Sequence, residues 1–363
     1  MLTIIHAADL HLETTFPDVR GGNRRRAALA EALVRIVDLA LERRADVLTI
    51  GGDLFESERA GPQTARFLFE QFARFGKPVF IAPGNHDPYA SRSLYARDDI
   101  PANIRVFGEP AWAAFPLADD VTLYGFGHTP AEPGRPFAHA RFDRPGVRIA
   151  LVHGSDEDRC PPEKRATAPY RTDEIAAAGA TFALSGHYHG GYVVDAADGP
   201  ILAYPGSPEP IKFGERGNHG ALVVAIHGAR ITVESVPTAR TRLIDVDVRL
   251  DGATSEHAVI AALESALDGY GSADYVRARL QGAVEHGTRI DTETLAERCS
   301  APLGALDIID KTIVPDYTVL ARAPNVLGHV VGDLLARTEA GDADAGQALR
   351  YVVAAFEGAE IAP

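Results

Sequence analysis

Residues 3–11 read TIIHAADLH, and this stretch decides the fold. The β-branched and apolar residues at 3–6 predict a short strand, and the polar pair Asp9 and His11 follows soon after it. Residues two apart in an extended segment point the same way, so the Asp9 carboxylate and the His11 imidazole can reach one cation. A ligand pair beyond the carboxyl end of a strand predicts an open α/β sheet with its site at that edge.

Strands and helices alternate over the residues that follow. Strands at 47–50 and 79–81 are each preceded by an amphipathic helical pattern, at 24–44 and 64–75 respectively. This spacing predicts βαβ units and a mainly parallel sheet. Further strands are predicted at 122–126, 147–152 and 182–184, and hairpin-like runs at 191–194, 201–204, 221–226 and 231–236.

Four further strand ends carry polar residues of the same kind. They read GGD at 51–53, GNHD at 84–87, HG at 153–154 and GHYHG at 186–190. Each motif alone can arise by chance or as a turn, but all five in this order, each closing a predicted strand, favour one shared site. The candidate site residues are Asp9, His11, Asp53, Asn85, His86, His153, His187 and His189.

The ligand types at these strand ends restrict the metal. Carboxylate, imidazole and amide groups without a thiolate suit Mn²⁺, Fe or Zn²⁺ rather than Ca²⁺ or an iron–sulfur cluster. Two such cations sharing one carboxylate hold a phosphate group and generate a hydroxide nucleophile at neutral pH. The pattern therefore predicts two divalent metal ions and phosphoester hydrolysis.

With these motifs in place, residues 1–240 resemble the calcineurin-like metallophosphoesterases, whose motif order is D-x-H, G-D, G-N-H-D/E, H and G-H-x-H. A closer resemblance is to the SbcD-like DNA repair nucleases, the bacterial relatives of the meiotic recombination nuclease. It rests on HAADLHL at 6–12, GGDLFE at 51–56 and YPGSPEPIKFGERGNHGALVV at 204–224. The resemblance implies a two-sheet α/β/β/α sandwich, with a small α+β cap domain after it.

The resemblance also implies a role for each candidate residue. One metal would be held by Asp9, His11 and His189, and the other by Asn85, His153 and His187, with Asp53 bridging the two. His86 would not bind metal; it would protonate the leaving oxygen or stabilise the transition-state charge, oriented by Asp87. Members of this family use Mn²⁺ to hydrolyse DNA as exonucleases and endonucleases, together with a coiled-coil ABC-type ATPase. The expected partners are therefore DNA, such an ATPase and, for a duplex nuclease, a second copy of this chain.

Two features depart from that family pattern. Glu13 stands where many members have glycine. The chain has a net charge of −14, and residues 241–363 hold 10 Lys and Arg against 20 Asp and Glu. Nucleic-acid binders usually show a basic excess. The last third of the chain is therefore a poor DNA-binding surface by charge alone.

Three domains are predicted from the changes in pattern. Residues 1–240 form the catalytic domain, 241–323 the cap and 324–363 a helical tail, with boundaries near Pro237 and Pro324. The tail reads as a helical hairpin with two apolar stripes and a Gly- and Asp-rich turn. A hairpin this short is expected to leave one stripe exposed for the ATPase or a second copy. The alternative is that the hairpin folds back onto the core of its own chain.

Other functions are compatible with parts of the pattern. A phosphoesterase acting on small nucleotides or phosphoproteins would use the same ligands but needs a closed pocket rather than an open groove. A non-catalytic scaffold has no reason to keep every ligand. Near the site, arginines are expected either to contact phosphates or to form a solvated helix start, and they are Arg20, Arg24, Arg25 and Arg26. His128 either reaches the cleft or makes a local hydrogen bond.

Cellular location is predicted from weaker signals. Cys160 and Cys299 are too few and too far apart for a disulfide framework, so a reducing cytoplasm is expected. The short apolar run at the start lacks the basic residues of a signal peptide. No apolar stretch approaches the roughly 20 residues that cross a bilayer, so no membrane association is expected.

Overall fold

A computed structural model describes residues 1–17, 19–131, 133–160, 166–285 and 288–356. The chain divides into two compact units. The first contains Met1–Asp18 and Gly22–Arg242, and the second contains Val19–Gly21 and Leu243–Pro363. Among the described residues, no helix combines the length and the apolar character needed to cross a membrane.

The first unit holds twelve strands and three α-helices within the described residues. In chain order they are β1 (Leu2–Ala7), α1 (Gly22–Glu42), β2 (Val47–Ile50), α2 (Pro62–Phe75), β3 (Val79–Ile81), β4 (Ile104–Val106), β5 (Ala113–Ala118), β6 (Val121–Gly125), β7 (Val147–His153), α3 (Thr172–Ala177), β8 (Phe182–Gly186), β9 (Tyr192–Ala196), β10 (Gly199–Tyr204), β11 (Gly220–His227) and β12 (Arg230–Pro237). A single 3₁₀ turn, Leu94–Ala96, lies between β3 and β4.

These strands form two mixed six-stranded sheets. The first has the order β12-β11-β1-β2-β3-β4 and the second β5-β6-β7-β8-β10-β9. Strands β1 to β4 are parallel to one another, as are β6, β7, β8 and β10. Strand β11 is antiparallel to β1, and the pairs β5–β6, β9–β10 and β11–β12 are antiparallel. The predicted two-sheet α/β fold is confirmed. Parallel central strands bring their carboxyl ends to one edge of each sheet, where the site must lie.

The core explains why the sequence folds this way. All six residues of β1 are buried, as expected for a central strand covered on both faces. Between the sheets, buried side chains of both pack into one cluster that includes Ile4, Leu123, Ile149 and Leu222. Helix α2 begins with a proline at its first turn and ends at Gly76, whose φ of 71° closes the helix in the left-handed conformation.

Several short elements were not predicted from the sequence. Strand β4 has only three residues, and β5 is an edge strand that contains Pro116 and is mostly exposed. Both alternate in burial over only a few residues, which is too short for the period to identify a strand, and an edge strand also tolerates proline. Helix α3 spans six residues, which is too short for a helical period to be recognised.

The second unit contains a three-stranded sheet and helices. In chain order they are β13 (Arg242–Arg249), α4 (Glu256–Ala266), β14 (Asp274–Ala283), α5 (Thr292–Cys299), β15 (Ala305–Ile313), α6 (Tyr317–Leu320), α7 (Val326–Glu339) and α8 (Ala343–Phe356). The sheet order is β13-β14-β15, and β14 and β15 are parallel. Buried apolar residues of all three strands, α4 and α5 form its core, for example Val248, Leu263, Leu280 and Leu306.

The C-terminal helices α7 and α8 pack against each other. Their apolar stripes meet in a buried cluster that includes Val331, Leu334, Leu349 and Val353, with residues of α6 packed against it. The expectation that the hairpin leaves one stripe exposed is therefore wrong. Two antiparallel amphipathic helices can bury both stripes when the stripes face each other, which a sequence pattern cannot specify.

Candidate metal centre

The predicted site residues converge at the carboxyl ends of five strands. Asp9 and His11 follow β1, Asp53 follows β2, Asn85 and His86 follow β3, His153 ends β7, and His187 and His189 follow β8. They form three overlapping groups, each with ligand atoms within 4.8 Å of one another: Asp9, His11 and His189; His11, Asp53 and His86; and Asp53, His153 and His187. The structure thus brings the residues from all five motifs together.

The backbone at these strand ends is strained. Asp9, His11, Asp53 and His187 have φ values of 55°, 46°, 51° and 111°, and they are four of the seven described non-glycine residues with positive φ. Each costs on the order of 1–3 kcal/mol and persists only where the surroundings enforce it. Strain concentrated on four candidate ligands indicates a site that is shaped for function at the expense of local stability.

Asp9 and His11 face the same site for a different reason than the strand alternation expected from the sequence. Strand β1 ends at Ala7, so Asp9 and His11 lie beyond it in left-handed conformations rather than in an extended segment. Their backbone N–H groups donate to the carbonyls of Gly52 and Asp53 at 3.0 and 2.9 Å. Side chains two residues apart face the same site because these bonds fix two tight turns, and strand alternation is not the cause.

Asp53 lies between the two predicted ligand sets. Its Oδ2 atom is 3.7 Å from Nε2 of His11 and 3.3 Å from Nε2 of His153, while its Oδ1 accepts the backbone N–H of His86 at 2.8 Å. Burial by itself would raise the pKa of Asp53, but the imidazoles of His153 and His11 hold it well below its ordinary value. An ionised carboxylate between two imidazole groups is the arrangement that a bridging ligand needs.

The imidazoles on one side are held by carboxylates. Nδ1 of His11 donates to Glu56 Oε1 at 2.8 Å, and Nδ1 of His189 donates to Glu215 Oε1 at 2.5 Å. Because a carboxylate only accepts, each bond fixes the proton on Nδ1 and leaves the Nε2 electron pair for a cation. Nε2 of His11 is buried without a hydrogen-bond partner among the described residues, which is costly unless a cation binds there.

The other side is held by backbone groups. Nδ1 of His153 donates to the Gly51 carbonyl at 2.7 Å, so Nε2 is the atom of His153 that faces Asn85 Oδ1, at 3.1 Å, and Asp53. Burial lowers the pKa of His153, yet the Asp53 charge raises it to about 9 overall. The oxygens of Asn85 and Asp53 both face Nε2 of His153, so a positive charge is needed between them. A proton on Nε2 or a metal ion can supply it. Burial lowers the pKa of His187 to about 3, which keeps that imidazole neutral.

Glycines allow the close approach of these groups. A Cβ atom on Gly84 would overlap the Asp53 carboxylate, and one on Gly52 would overlap the His153 ring. Gly52 also has a φ of 87°, which side-chain-bearing residues rarely adopt. The glycines in GGD and GNHD are therefore required by the packing of the site.

His86 is the most exposed imidazole of the site, with 44% of its side chain accessible. Its Nδ1 donates to Glu56 Oε2 at 2.9 Å, and this hydrogen bond raises its pKa. The prediction that Asp87 orients His86 is wrong. The buried Asp87 carboxylate instead accepts the N–H groups of Asp53, Leu54 and Gly84 and the hydroxyl of Tyr95. Asp87 therefore holds the loops in shape.

Two carboxylates of the site were missed in the sequence. Glu56 contacts both His11 and His86, and Glu215 contacts His189. Both lie inside stretches that carry the family resemblance, GGDLFE and the segment at 204–224, yet neither belongs to the short ligand motifs. Their position inside those longer stretches was the only available signal.

The remaining candidates are explained by local contacts. Arg25 is fully buried and pairs with Glu209, so it is not available to phosphates. Arg26 pairs with Glu13 at 2.5 Å, and Arg20 pairs with Glu293 in the second unit. The Nε2–H group of His128 donates to the His153 carbonyl at 2.8 Å, which is the local hydrogen bond considered from the sequence.

The donor set fits a pair of divalent cations. It supplies carboxylate, imidazole and amide groups, three imidazoles whose Nδ1 proton is held by an acceptor, and one buried imidazole nitrogen without a partner in the described part of the chain. Such groups suit a first-row transition metal. The cleft above them has a volume of about 650 Å³ and is lined by His11, Asp53, His86, His187 and His189, together with residues near 211–216.

Comparison with known proteins agrees with this geometry. Residues 2–191 match the sequence profile described as calcineurin-like phosphoesterase, which is more than half of the chain. The chain belongs to the calcineurin-like phosphoesterase family. The resemblance to this family predicted from the five motifs is confirmed.

Named relatives of this family member are distant. The chain is 26% identical to the uncharacterized metallophosphoesterase YhaO of Bacillus subtilis over 252 residues, covering 64% of this chain and 59% of YhaO. It is 26% identical to the DNA double-strand break repair protein Mre11 of Aeropyrum pernix over 295 residues, covering 74% of this chain and 68% of that protein. It thus spans between half and about two thirds of the curated relatives it matches. The solved structure of TT1561 from Thermus thermophilus aligns at a TM-score of 0.42 and 12% identity, over 64% of this chain and 98% of that one.

Proposed function

We propose that this chain is a two-metal phosphodiesterase that hydrolyses DNA. The observation that carries the proposal is the position of Asp53 Oδ2, within 3.7 Å of the imidazoles of both His11 and His153, with the exposed His86 ring beside it. The distant relationship to two proteins named DNA double-strand break repair protein Mre11 supports DNA as the substrate. Exonuclease and endonuclease activities both fall within this proposal.

In this proposal each residue has a defined task. One cation would be held by Asp9, His11 and His189 and the other by Asn85, His153 and His187, with Asp53 as a ligand of both. The cations, with Mn²⁺ proposed ahead of Fe or Zn²⁺, supply Lewis acidity and a nucleophile at neutral pH. Nδ1 of His86 is engaged by Glu56, so its Nε2–H group is the proton donor for the leaving oxygen.

The proposal is tested by substrate class. Purified protein loaded with Mn²⁺ is expected to hydrolyse single-stranded oligonucleotides and bis(p-nitrophenyl) phosphate, a small diester, faster than p-nitrophenyl phosphate, a monoester. Metal analysis of the same sample is expected to give two equivalents per chain. Monoester hydrolysis as the dominant activity, or a single equivalent of metal at full activity, contradicts the proposal.

A second candidate is a phosphoesterase for small nucleotides or phosphoproteins. The observation in its favour is charge, because residues 241–363 carry 20 acidic and 10 basic residues and do not attract a polyanion. In that case the protein would prefer a nucleotide or a phosphopeptide over an oligonucleotide. A direct competition between these substrates separates the two candidates.

The partners in the proposal are DNA and a coiled-coil ABC-type ATPase, with a second copy of this chain as the dimer partner. Residues 241–323 would act as a cap, and 324–363 as a helical tail. Helices α7 and α8 bury their stripes against each other, so the hairpin stripe no longer supplies a docking surface. Co-purification of the full chain from its native cells, followed by mass spectrometry, tests the ATPase, and light scattering tests the dimer.

A further inference from the structure

The lining of the cleft includes one loop, residues 210–216, which we call the wall loop. It reads PIKFGER and places Lys212, Phe213 and Arg216 on the lining of the 650 Å³ cleft. Lys212 and Arg216 are exposed, and Phe213 is partly buried. None of these three residues belongs to the ligand motifs, so the metal chemistry does not account for them.

Buried charges fix the beginning of the wall loop. The carboxylate of Glu209, immediately before it, is fully buried and accepts Arg35 Nη2 at 2.5 Å and the backbone N–H of Arg240 at 2.7 Å. The guanidinium of Arg25, also fully buried, donates to the Pro210 carbonyl. Buried charges are expensive unless they are paired, so this network holds the loop start in one position.

The end of the wall loop is fixed by Glu215. One carboxylate oxygen of Glu215 accepts the backbone N–H of Ile211 at 2.8 Å, which closes the loop, and the other accepts Nδ1 of His189 at 2.5 Å. Gly214, with a φ of 85°, makes the turn between them. The loop is therefore held rigidly against a candidate metal ligand, and rigid support is what a substrate-contacting loop needs.

The chemistry of the exposed side chains identifies what the loop contacts. Several arginines of the first unit pair with carboxylates, whereas Lys212 and Arg216 form no ion pair within the described ranges. Two unpaired cations beside a site for phosphoester hydrolysis suit the neighbouring phosphates of a strand. Phe213 stands between them in the sequence, and an aromatic ring on the cleft lining suits the face of a nucleobase.

We infer that the wall loop binds a single nucleic-acid strand, with Lys212 and Arg216 on phosphates next to the scissile one and Phe213 against an unstacked base. Bases inside a duplex are covered by their neighbours, so the Phe213 ring can reach only a base outside the stack. The substrate class is therefore single-stranded or frayed nucleic acid. This inference rests on the proposed diesterase function and adds its specificity.

The test separates strand binding from metal chemistry. Lys212→Ala/Arg216→Ala is expected to reduce kcat/KM for a single-stranded oligonucleotide roughly tenfold at low salt, with the change mainly in KM. The slope of log binding constant against log salt, measured by fluorescence anisotropy with a cleavage-resistant phosphorothioate strand, is expected to fall by about 1.4. Arg230→Ala is the matched control, because Arg230 is an exposed cation on the β11–β12 hairpin, and it is expected to change neither quantity.

The contact between Phe213 and a base is tested by changing Phe213 and, separately, by removing single bases from the oligonucleotide. Phe213→Ala is expected to reduce oligonucleotide kcat/KM by about tenfold or more, and Phe213→Tyr is expected to restore it. An abasic site scanned along the oligonucleotide is expected to slow the natural protein at one position and to have no further effect on Phe213→Ala. The scan with the natural protein also gives an answer if the alanine variant fails to fold.

Three results overturn the inference. The first is an equal loss on the oligonucleotide and on bis(p-nitrophenyl) phosphate, which would place the loop's effect on the metal centre. The second is an unchanged salt slope in the double variant, and the third is an abasic scan without any position dependence. If the natural protein cleaves no oligonucleotide at all, the proposed function itself fails, and that outcome is distinct from these three.

Discussion

The two halves of the candidate site are supported by different kinds of acceptor. On the half around His11 and His189, each imidazole donates its Nδ1 proton to a carboxylate, Glu56 or Glu215. On the half around His153, the same proton goes to the neutral Gly51 carbonyl. We call them the carboxylate-supported half and the carbonyl-supported half. A carboxylate adds a full negative charge near the metal and makes the imidazole a stronger donor, whereas a carbonyl mainly fixes its orientation.

This difference predicts unequal metal affinity. The carboxylate-supported half combines Asp9, Glu56 and Glu215 with its imidazoles, while the carbonyl-supported half has Asn85 and a share of Asp53. The carboxylate-supported half should therefore bind its cation more tightly and release it last on chelation. Variants that remove the supports one at a time can break or sharpen this comparison.

The largest effect is expected where the halves meet. Asp53→Asn should weaken both cations together and lower kcat by at least about 10²–10³-fold, because one carboxylate neutralises and spaces the pair. His153→Ala should remove mainly one cation. Mn²⁺ titration by calorimetry measures both variants, and Asp198→Asn, at an exposed hairpin turn, serves as the control. If Asp53→Asn and His153→Ala lose the same single metal, Asp53 does not bridge.

The next effect concerns the proton donor. His86→Ala should keep two cations yet lower turnover by about 10²–10⁴-fold, the usual range for a positioned acid. Metal analysis beside the nuclease rate measures this. A diester with a good leaving group, such as p-nitrophenolate, needs less protonation and should be affected less. Loss of one metal equivalent in His86→Ala would show that His86 is a ligand.

Smaller effects are expected from the supporting carboxylates. Glu215→Gln should weaken the cation of the carboxylate-supported half by about 10–100-fold and leave the other unchanged. Glu56→Gln should weaken the same cation to a similar extent and should also lower kcat, because Glu56 accepts hydrogen bonds from both His11 and His86. Stepwise chelation, followed by electron paramagnetic resonance of Mn²⁺, separates the two cations. Equal weakening of both cations by Glu215→Gln would contradict the division into halves.

The smallest effect belongs to the carbonyl-supported half. His128→Leu removes the N–H donor to the His153 carbonyl, a neutral hydrogen bond worth about 1 kcal/mol, so metal affinity there should fall about fivefold or less. His128→Gln keeps a donor and is the matched control. A tenfold or larger loss in His128→Leu would mean that neutral supports matter as much as carboxylates.

Local sequence determined the ligand types and the framework that carries them. Buried runs such as β1 and β2 are recognisable because a strand covered on both faces is mainly apolar and β-branched. The polar residues that follow them stand out for the same reason. The glycines at 51–52 and 84 could also be read as places of close backbone approach, because only glycine fits there.

Tertiary structure alone decided which groups support the ligands. Glu56 meets a histidine 45 positions earlier, and Asp87 turns to backbone groups rather than to the adjacent His86. Arg25 is buried although its motif resembles an exposed helix start, and the stripes of α7 and α8 face each other. Periodicity and spacing describe which residues share a face of one element. Which groups meet across elements depends on packing distances of a few tenths of an ångström, and those are set only when the whole core is assembled.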